Sequence, residues 1–411
     1  MLTNTMKTTS LILVLTTVTA FSQGSLLPTG APAQTQKSLQ EIWDKIGVVE
    51  AQNAQLQAQN LLLKSQLTTA SLLDAVSPAG LALPWNLRSV DSGGSSTSLA
   101  FGPDGQPAIS YYDSINGDLR IARFNGSVWT TTTVDSVGNV GSFNSLAFGP
   151  DGQPAISYSD GTNDDLKIAR FNGSVWVSTT VDSAGNVGIF NSLAFGPDGQ
   201  PAVSYKGNGP RILKLARFSG SVWNTTIVDN YGLFGSDTSL AFGPDGQPAI
   251  SYADTFDDIL EPPYDELWIA RFNGSVWTIT IVDTTVYLNG SNSLAFGPDG
   301  QPAISYYDKT NNALRISRFN GSNWSAYTVD NGGTSNSLAF GPDGQPAISY
   351  PGNDGLKFAR LNGSGWSATT VDSGASGNSS LAFGPDGQPA ISYSGNGGIK
   401  IARKGVFSPA P

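Results

Sequence analysis

The stretch SLAFGPDGQPA, at residues 98–108, decides the fold because the chain repeats it seven times. A single change occurs at the next residue: Val203 follows the third copy where Ile follows the others. Successive copies start 47, 47, 47, 54, 44 and 43 residues apart, at Ser98, Ser145, Ser192, Ser239, Ser293, Ser337 and Ser380. A regular period of this size is typical of repeat architectures, in which each copy is one supersecondary unit.

One repeat, residues 145–191, contains four short segments in which β-branched or aromatic residues alternate with small ones: SLAFG, PAISY, LKIARF and WVSTTVD. Such alternation predicts β-strands. The first two segments are joined through Asp-Gly and the last two through Asn-Gly, and both dipeptides favour tight hairpin turns. Each repeat is therefore predicted to be a four-stranded antiparallel meander, which is one blade of a β-propeller.

Tryptophan gives the number of blades, because seven of these residues each open a fourth strand that ends in Val-Asp: Trp85, Trp129, Trp176, Trp223, Trp277, Trp324 and Trp366. The first of these strands precedes every repeat, and the last repeat ends without one. We expect residues 85–91 to complete the blade formed by residues 380–405, which closes the ring and removes its exposed edges. The prediction is an all-β, seven-bladed propeller over residues 84–405, followed by a tail at 406–411.

Composition excludes several functions. The formal net charge of -10 and the lack of a basic cluster argue against nucleic-acid binding and against anionic membrane surfaces. The chain has no cysteine and no histidine, which removes disulfides, thiol nucleophiles, imidazole bases and most zinc chemistry.

The N-terminal region differs from the repeats. Residues 1–23 combine Lys7, a short apolar run and small residues, in the order of a secretory signal peptide. Residues 24–38 have the composition of a Pro/Gly linker. We expect a secreted or cell-surface protein with no permanent membrane span after removal of the signal.

Residues 39–75 carry apolar side chains at heptad spacing, which predicts a coiled-coil stem. Asn53 and Asn60 fall on the seam, where each can pair with its counterpart in a second chain. We expect a parallel dimer or trimer through residues 39–73. The alternative is a single amphipathic helix packed on the propeller.

The repeat SLAFGPDGQPAISYYDSINGDLRIARFNGSVW resembles those of bacterial surface propellers that are loosely grouped with sialidase-like propellers. The segment after the signal resembles the stalks of some exported bacterial proteins. These resemblances imply a propeller and extracellular display, but no single activity. Catalytic sialidase-like enzymes carry S-x-D-x-G-x-x-W boxes and an arginine cluster that differs between blades, and this chain has no intact box.

The arginines of this chain recur once per blade at one strand position: Arg123, Arg170, Arg217, Arg271, Arg318, Arg360 and Arg403. Equal spacing indicates a structural role, with a strand-end carboxylate such as Asp135 or Asp182 as the expected partner. The aspartates of the Asp-Gly turns are interpreted as turn residues. The strand-opening tryptophans are expected to fill the gaps between blades, with stacking on sugars as the alternative.

The asparagines of the N-G-S motifs formally match the glycosylation acceptor motif, but their place in a hairpin already explains them.

The repeats differ from one another only in the loops between strands two and three and in those that lead to the next blade, and both sets emerge on one face. Aromatic, Asp and Asn side chains in these loops suit carbohydrate recognition through stacking and hydrogen bonds. Solvated loops with inward-facing aromatics are the alternative. The candidate ligand-binding residues are Tyr112, Asp113, Asn116, Phe143, Asp160, Phe190, Tyr231, Phe234, Tyr264, Tyr287, Tyr307 and Asp308.

An acidic insert in the fourth repeat, residues 254–266, accounts for the 54-residue spacing. Oxygen ligands suit calcium, although the order is not that of an EF-hand. No cofactor is expected beyond this weak calcium site, whose candidate ligands are Asp254, Asp257, Asp258, Glu261, Asp265 and Glu266.

Three functions remain open. The first is a non-enzymatic, lectin-like or adhesin-like head on an oligomeric stem, with a glycan or surface protein as its ligand. The second is a structural or protein-interaction module of the cell envelope. The third is a glycoside-acting enzyme that uses two carboxylates of the acidic insert as acid and base.

The stem provides the first test. We expect light scattering of the chain without its signal to give the mass of a dimer or a trimer at micromolar concentration, because the heptads bury their apolar seam only in an assembly. A monomeric mass would contradict the coiled coil.

Overall fold

The computed structural model describes residues 83–209, 212–230, 233–256, 264–284, 288–363, 365–375, 377–395 and 397–405. The signal, linker, stem and tail predicted from the sequence lie outside these residues. Within them the regular structure consists of 28 β-strands. They include no helix long and apolar enough to cross a membrane.

The strands form seven four-stranded antiparallel sheets, which we number as blades 1–7 in chain order. Blade 1 consists of β2 (Ser95–Phe101), β3 (Pro107–Asp113), β4 (Asp118–Phe124) and β5 (Trp129–Asp135). Blade 2 consists of β6 (Val140–Phe148), β7 (Pro154–Asp160), β8 (Asp165–Phe171) and β9 (Trp176–Asp182). Blade 3 consists of β10 (Ser192–Phe195), β11 (Pro201–Lys206), β12 (Leu213–Phe218) and β13 (Trp223–Asp229).

The remaining blades repeat this order. Blade 4 consists of β14 (Leu233–Phe242), β15 (Pro248–Phe256), β16 (Tyr264–Phe272) and β17 (Trp277–Asp283). Blade 5 consists of β18 (Leu288–Phe296), β19 (Pro302–Asp308), β20 (Ala313–Phe319) and β21 (Trp324–Asn331). Blade 6 consists of β22 (Ser337–Phe340), β23 (Pro346–Gly352), β24 (Gly355–Asn362) and β25 (Gly365–Asp372). Blade 7 consists of β26 (Ser379–Phe383), β27 (Pro389–Gly395), β28 (Gly398–Lys404) and β1 (Trp85–Asp91).

The predicted closure of the ring is confirmed. Strand β1 pairs antiparallel with β28, with Trp85 opposite Lys404 and Ser89 opposite Lys400. The first strand of the propeller is thus the outer strand of its last blade. The all-β, seven-bladed propeller predicted from the sequence is the fold of the described residues.

The hydrophobic core lies between the blades. One cluster joins Leu119 and Ile121 of blade 1 to Ile156 and Tyr158 of blade 2, and Trp176 packs against it. Six further clusters repeat this arrangement around the ring. Each contains one strand-opening tryptophan, which confirms that these residues fill the gaps between blades.

The serine of the repeated phrase links each inner strand to the next. Its Oγ accepts a hydrogen bond from the backbone N–H of the leucine in the following blade, as Ser98 does from Leu146 at 3.0 Å. The same bond occurs at all seven junctions, including the closing one, where the Leu99 N–H donates to Ser380 Oγ at 3.0 Å. Inner strands have an unpaired edge toward the channel, and this bond satisfies one of its donors.

The turn GPDGQ packs against its equivalent in the neighbouring blade. Gly152 has φ +74°, and a Cβ at this position would lie 3.0 Å from Cγ of Pro103 in blade 1. The close approach and the left-handed backbone both require glycine there. In the same turn Asp151 Oδ1 accepts the Gln153 N–H, which confirms the turn role of this aspartate.

The predicted partner of the recurring arginines is wrong. Arg217 pairs with Asp198 of its own blade's Asp-Gly turn at 2.8 Å and lies over the Phe242 ring of blade 4. Five further arginines make the same ion pair with their turn aspartates: Arg123, Arg170, Arg318, Arg360 and Arg403. The turn carboxylate is the nearer one because both groups lie at the same end of the blade.

The strand-end aspartates bind the next blade instead. Asp135, at the end of β5, accepts the hydroxyl of Tyr158 at 2.5 Å and pairs with Lys167 at 3.1 Å, both in blade 2. The tyrosine–aspartate bond recurs at all seven junctions. Burial alone would raise the pKa of Asp135, but hydrogen bonds from Tyr158, the Val137 amide and Lys167 outweigh it and hold that pKa below its usual value.

These carboxylates make the ring sensitive to acid. The pKa values of Asp135, Asp182, Asp330 and Asp372 are all lowered in the folded protein. A lowered pKa contributes stability that is present above the ordinary carboxyl value and is lost as the pH falls through the folded value. We therefore expect the melting temperature to drop when the pH is lowered below about 4.

The substitution Asp135→Asn tests this contribution. We expect it to lower the free energy of unfolding by about 1–3 kcal/mol at pH 7. The gap to the wild type should narrow as the pH falls below about 4, because the unfolded carboxyl then takes up a proton before the native one, whose pKa is lowered. Asp164→Asn, at an exposed loop position, is the control. A gap that stays constant down to pH 3 would show that ionisation of Asp135 contributes nothing.

Candidate functional site

The two variable loop sets meet on one face of the ring, which we call the variable face. The Val140 N–H, on the connection into blade 2, donates to the Gly117 carbonyl in the blade 1 loop at 2.9 Å. The Val187 N–H makes the equivalent bond to the Asp164 carbonyl at 3.0 Å. At these blades the two sets of loops that differ between repeats lie side by side on one face, as the sequence predicts.

Three candidate carboxylates lie inside their own loops. Asp113 is 4% exposed, and its carboxylate accepts the Ile115 N–H and the Asn116 side-chain amide. These bonds offset the effect of burial and lower the pKa of Asp113. Asp160 and Asp308 bind their loops in the same way. Asn116 is exposed but shares its amide with Asp113. A ligand role for these four residues remains a prediction.

Two tyrosines are half-buried on the variable face. The Tyr112 hydroxyl donates to Asn139 Oδ1 at 2.7 Å, and the Tyr307 hydroxyl donates to Asn312 Oδ1 at 2.8 Å. Each bond holds the side chain in one orientation. A hydroxyl that donates in this way can still accept a hydrogen bond from a ligand.

Phe143 and Phe190 form a contact between neighbouring blades. Their rings meet edge to face, with centroids 4.9 Å apart. Phe143 is 38% exposed, whereas Phe190 also packs on the core between blades 3 and 4. Both residues have a left-handed backbone, with φ of 52° and 55°. Ser96 and Ser335 share this backbone at the same position of their blades, with φ of 53° each, but bulky side chains rarely adopt it.

Both phenylalanines occupy the second position before the repeated SLAF. This position lies two residues before the repeated serine, within or next to the innermost strand of each blade and toward its variable-face end, so its seven residues lie around the channel on that face. We call them the mouth ring: Ser96, Phe143, Phe190, Asp237, Ser291, Ser335 and Asn378. The residue that follows each of several members donates a hydrogen bond to the backbone carbonyl of the preceding blade's member, as when Asn292 Nδ2 donates to the Asp237 carbonyl at 2.6 Å.

Asp237 is the one acidic residue of the mouth ring, and the sequence interpretation missed it. Its neighbour Thr238 donates through Oγ1 to the Phe190 carbonyl at 2.8 Å, which places Asp237 next to the backbone of Phe190. Burial raises the pKa of Asp237 to about 6. In the part of the chain that the structure describes, this carboxylate makes no ion pair. Comparing the repeats at this single position would have found it.

Four other ligand candidates carry no side-chain description. Phe234 lies on β14 and Tyr264 on β16, but only their strand positions are described. Tyr231 and Tyr287 lie outside the described residues.

The acidic insert is described only in part. Asp254 is buried on β15, opposite Glu266 on β16, and burial raises the pKa of Glu266. Asp265 lies on β16 without a side-chain description, and Asp257, Asp258 and Glu261 lie outside the described residues. Among the residues that are described, no group of three or more acidic side chains could hold a metal ion. The calcium site therefore stays a prediction.

Two grooves lie between blades on the face opposite the variable face, where the repeated GPDGQ and N-G-S turns lie. One, of about 1000 Å³, is lined by Arg318 and Tyr327 of blade 5 and Trp366 of blade 6. The other, of about 460 Å³, is lined by Arg217 of blade 3 and Trp277 of blade 4. Their lining residues belong to the repeated blade-to-blade packing, so the grooves reflect the scaffold.

The fold is shared with proteins of different activity. No family model matches the sequence, and no curated protein matches it. Virginiamycin B lyase from Staphylococcus aureus is 15% identical, with a TM-score of 0.55 over 78% of this chain and 100% of that one. YCF48, in a structure with D1 peptide bound, is 18% identical to this chain. Its TM-score is 0.53, over 80% of this chain and 99% of that one.

A Hadza microbial sialidase is 16% identical, with a TM-score of 0.46 over 72% of this chain and 76% of that one. The similarity to the lyase and to YCF48 is one of fold alone. Because a lyase and a protein in complex with a peptide both share it, the fold itself does not determine an activity.

A substitution of Phe143 tests whether its ring contributes to the stability of the fold. We expect Phe143→Asn to leave the free energy of unfolding within about 1 kcal/mol of the wild type, because Asn tolerates the left-handed backbone and the ring is exposed. Phe148→Asn, which removes a partly buried ring packed against the core between blades 1 and 2, should cost more, about 2–4 kcal/mol in urea titrations. A comparable loss for both variants would mean that Phe143 is a core residue.

Proposed function

We propose that this protein is an exported, non-enzymatic binding protein with lectin-like or adhesin-like recognition through its variable face. The observation that carries the proposal is the pair of Phe143 and Phe190 at the channel entrance. Their strained backbone lowers stability, and serine or asparagine serves the same position in other blades. An aromatic pair at such a position, with the Phe143 ring exposed, is accounted for by ligand contact.

The chemistry of the pair suits a sugar. The apolar face of a pyranose stacks on an aromatic ring, and its hydroxyls form hydrogen bonds with nearby polar groups. Serine and asparagine side chains of the mouth ring supply such groups around the entrance. Tyr112 and Tyr307 add two oriented hydroxyls farther out on the same face.

A binding role also agrees with how the carboxylates are used. Glycoside hydrolysis needs two carboxyl groups that flank the scissile bond. Asp113, Asp160 and Asp308 instead accept hydrogen bonds from their own loops. An oligomeric stem would multiply weak contacts of single heads, because linked sites bind one surface together.

A glycan array tests the proposal. We expect the wild-type chain to bind a subset of glycans and Phe143→Asn to lose at least tenfold in affinity, because the stacking surface is removed. Val175→Asn, the same kind of change at an exposed position in a turn of the opposite face, is the matched control. Binding that survives in Phe143→Asn but fails in Val175→Asn would place the site on the wrong face.

A further inference from the structure

The mouth ring is asymmetric in charge as well as in shape. Around the entrance, two phenylalanines are followed by Asp237, while the position holds serine in three blades and asparagine in another. The edge contact between Phe143 and Phe190 shows that consecutive members face one another. Asp237 follows Phe190 in the same order, so the ring combines an aromatic surface with a carboxylate on one arc.

The backbone around Asp237 is held in place by hydrogen bonds, and its carboxylate is not neutralised. Its backbone carbonyl accepts Asn292 Nδ2, and the neighbouring Thr238 binds Phe190. Six strand-end aspartates and six turn aspartates pair with lysine or arginine, as Asp135 and Asp198 do. Asp237 makes no ion pair within the described chain. A half-buried carboxylate of this kind is better solvated by a cation than by the protein around it.

Aromatic rings and a carboxylate together recognise an ammonium group. The face of a phenylalanine ring attracts a cation, and the carboxylate supplies the opposite charge. Deepening the proposed function, on which this inference rests, we propose that the channel entrance binds an amino sugar that carries an unacetylated ammonium group. The sugar ring stacks on Phe143 and Phe190, and the ammonium pairs with Asp237.

The environment of Asp237 supports this assignment. Burial penalises the charged form and raises its pKa to about 6. An ammonium ion bound beside the carboxylate favours the charged form and so removes part of that penalty. A neutral sugar leaves the penalty in place, which makes the site selective for the cation.

Oligosaccharides of chitosan and chitin provide matched probes, because they share a backbone and differ in whether the amine is free or acetylated. We expect calorimetric titration of the full chain at pH 7 to show at least tenfold tighter binding of the chitosan oligosaccharide. Asp237→Asn should abolish this preference. Asp237→Ser, which introduces the residue of three other blades, should do the same and should fold normally.

The control is Asp164→Asn, which removes one exposed charge from the same face and keeps a residue suited to the left-handed backbone there. It should retain the preference for chitosan. Equal binding of the two oligosaccharides, or loss of the preference in both Asp237→Asn and Asp164→Asn, would overturn the ammonium site. If neutral glycans still bind through Phe143, the proposed function stands. If no glycan binds at all, both proposals fail.

Discussion

The bond from a leucine amide to a serine hydroxyl of the preceding blade is the constraint on which the ring depends. Each inner strand has an edge that faces the channel, where no further strand can pair with it. The Oγ of the repeated serine accepts one of these amides, and it does so at every junction, from Ser98 to Ser380. Because the same bond closes blade 7 onto blade 1, the closing junction is joined in the same way as the other six.

Two further contacts act at the same junctions. On the face opposite the variable face, the second glycine of each GPDGQ turn packs closely against the proline of the neighbouring turn. The tyrosine–aspartate bond joins the blades on the variable side. Each blade thus contacts its neighbour at three levels along the strands: at the turns, at the serine–leucine bond and at the tyrosine–aspartate bond. Most residues of the repeated phrase have a structural partner. Substitutions in the variable-face loops, which lie between copies of the repeated phrase, leave these contacts intact. The residues that stabilise the ring are therefore different from those available for recognition.

The sequence was sufficient for the blade count, the closure by residues 85–91 and the role of the tryptophans, because these follow from a repeat whose two ends are complementary. It was insufficient for contacts between blades. Asp135 and Tyr158 are 23 residues apart and belong to different sheets, so their pairing depends on how blades pack. The arginines were assigned to the wrong carboxylate for the same reason. At the mouth ring, the pattern F, F, D was present in the sequence, but the left-handed backbone of Phe143 was not.

The most direct test of this account is native-state hydrogen exchange at the seven leucine amides of the repeated phrase, followed in peptides that include their distinct upstream residues. The account predicts strong and similar protection at all seven, Leu99 at the closing junction included, because each amide donates to the same serine and opens only with the ring. Rapid exchange at Leu99 beside slow exchange at the other six would show that the ring is open at blade 7 and would contradict the account.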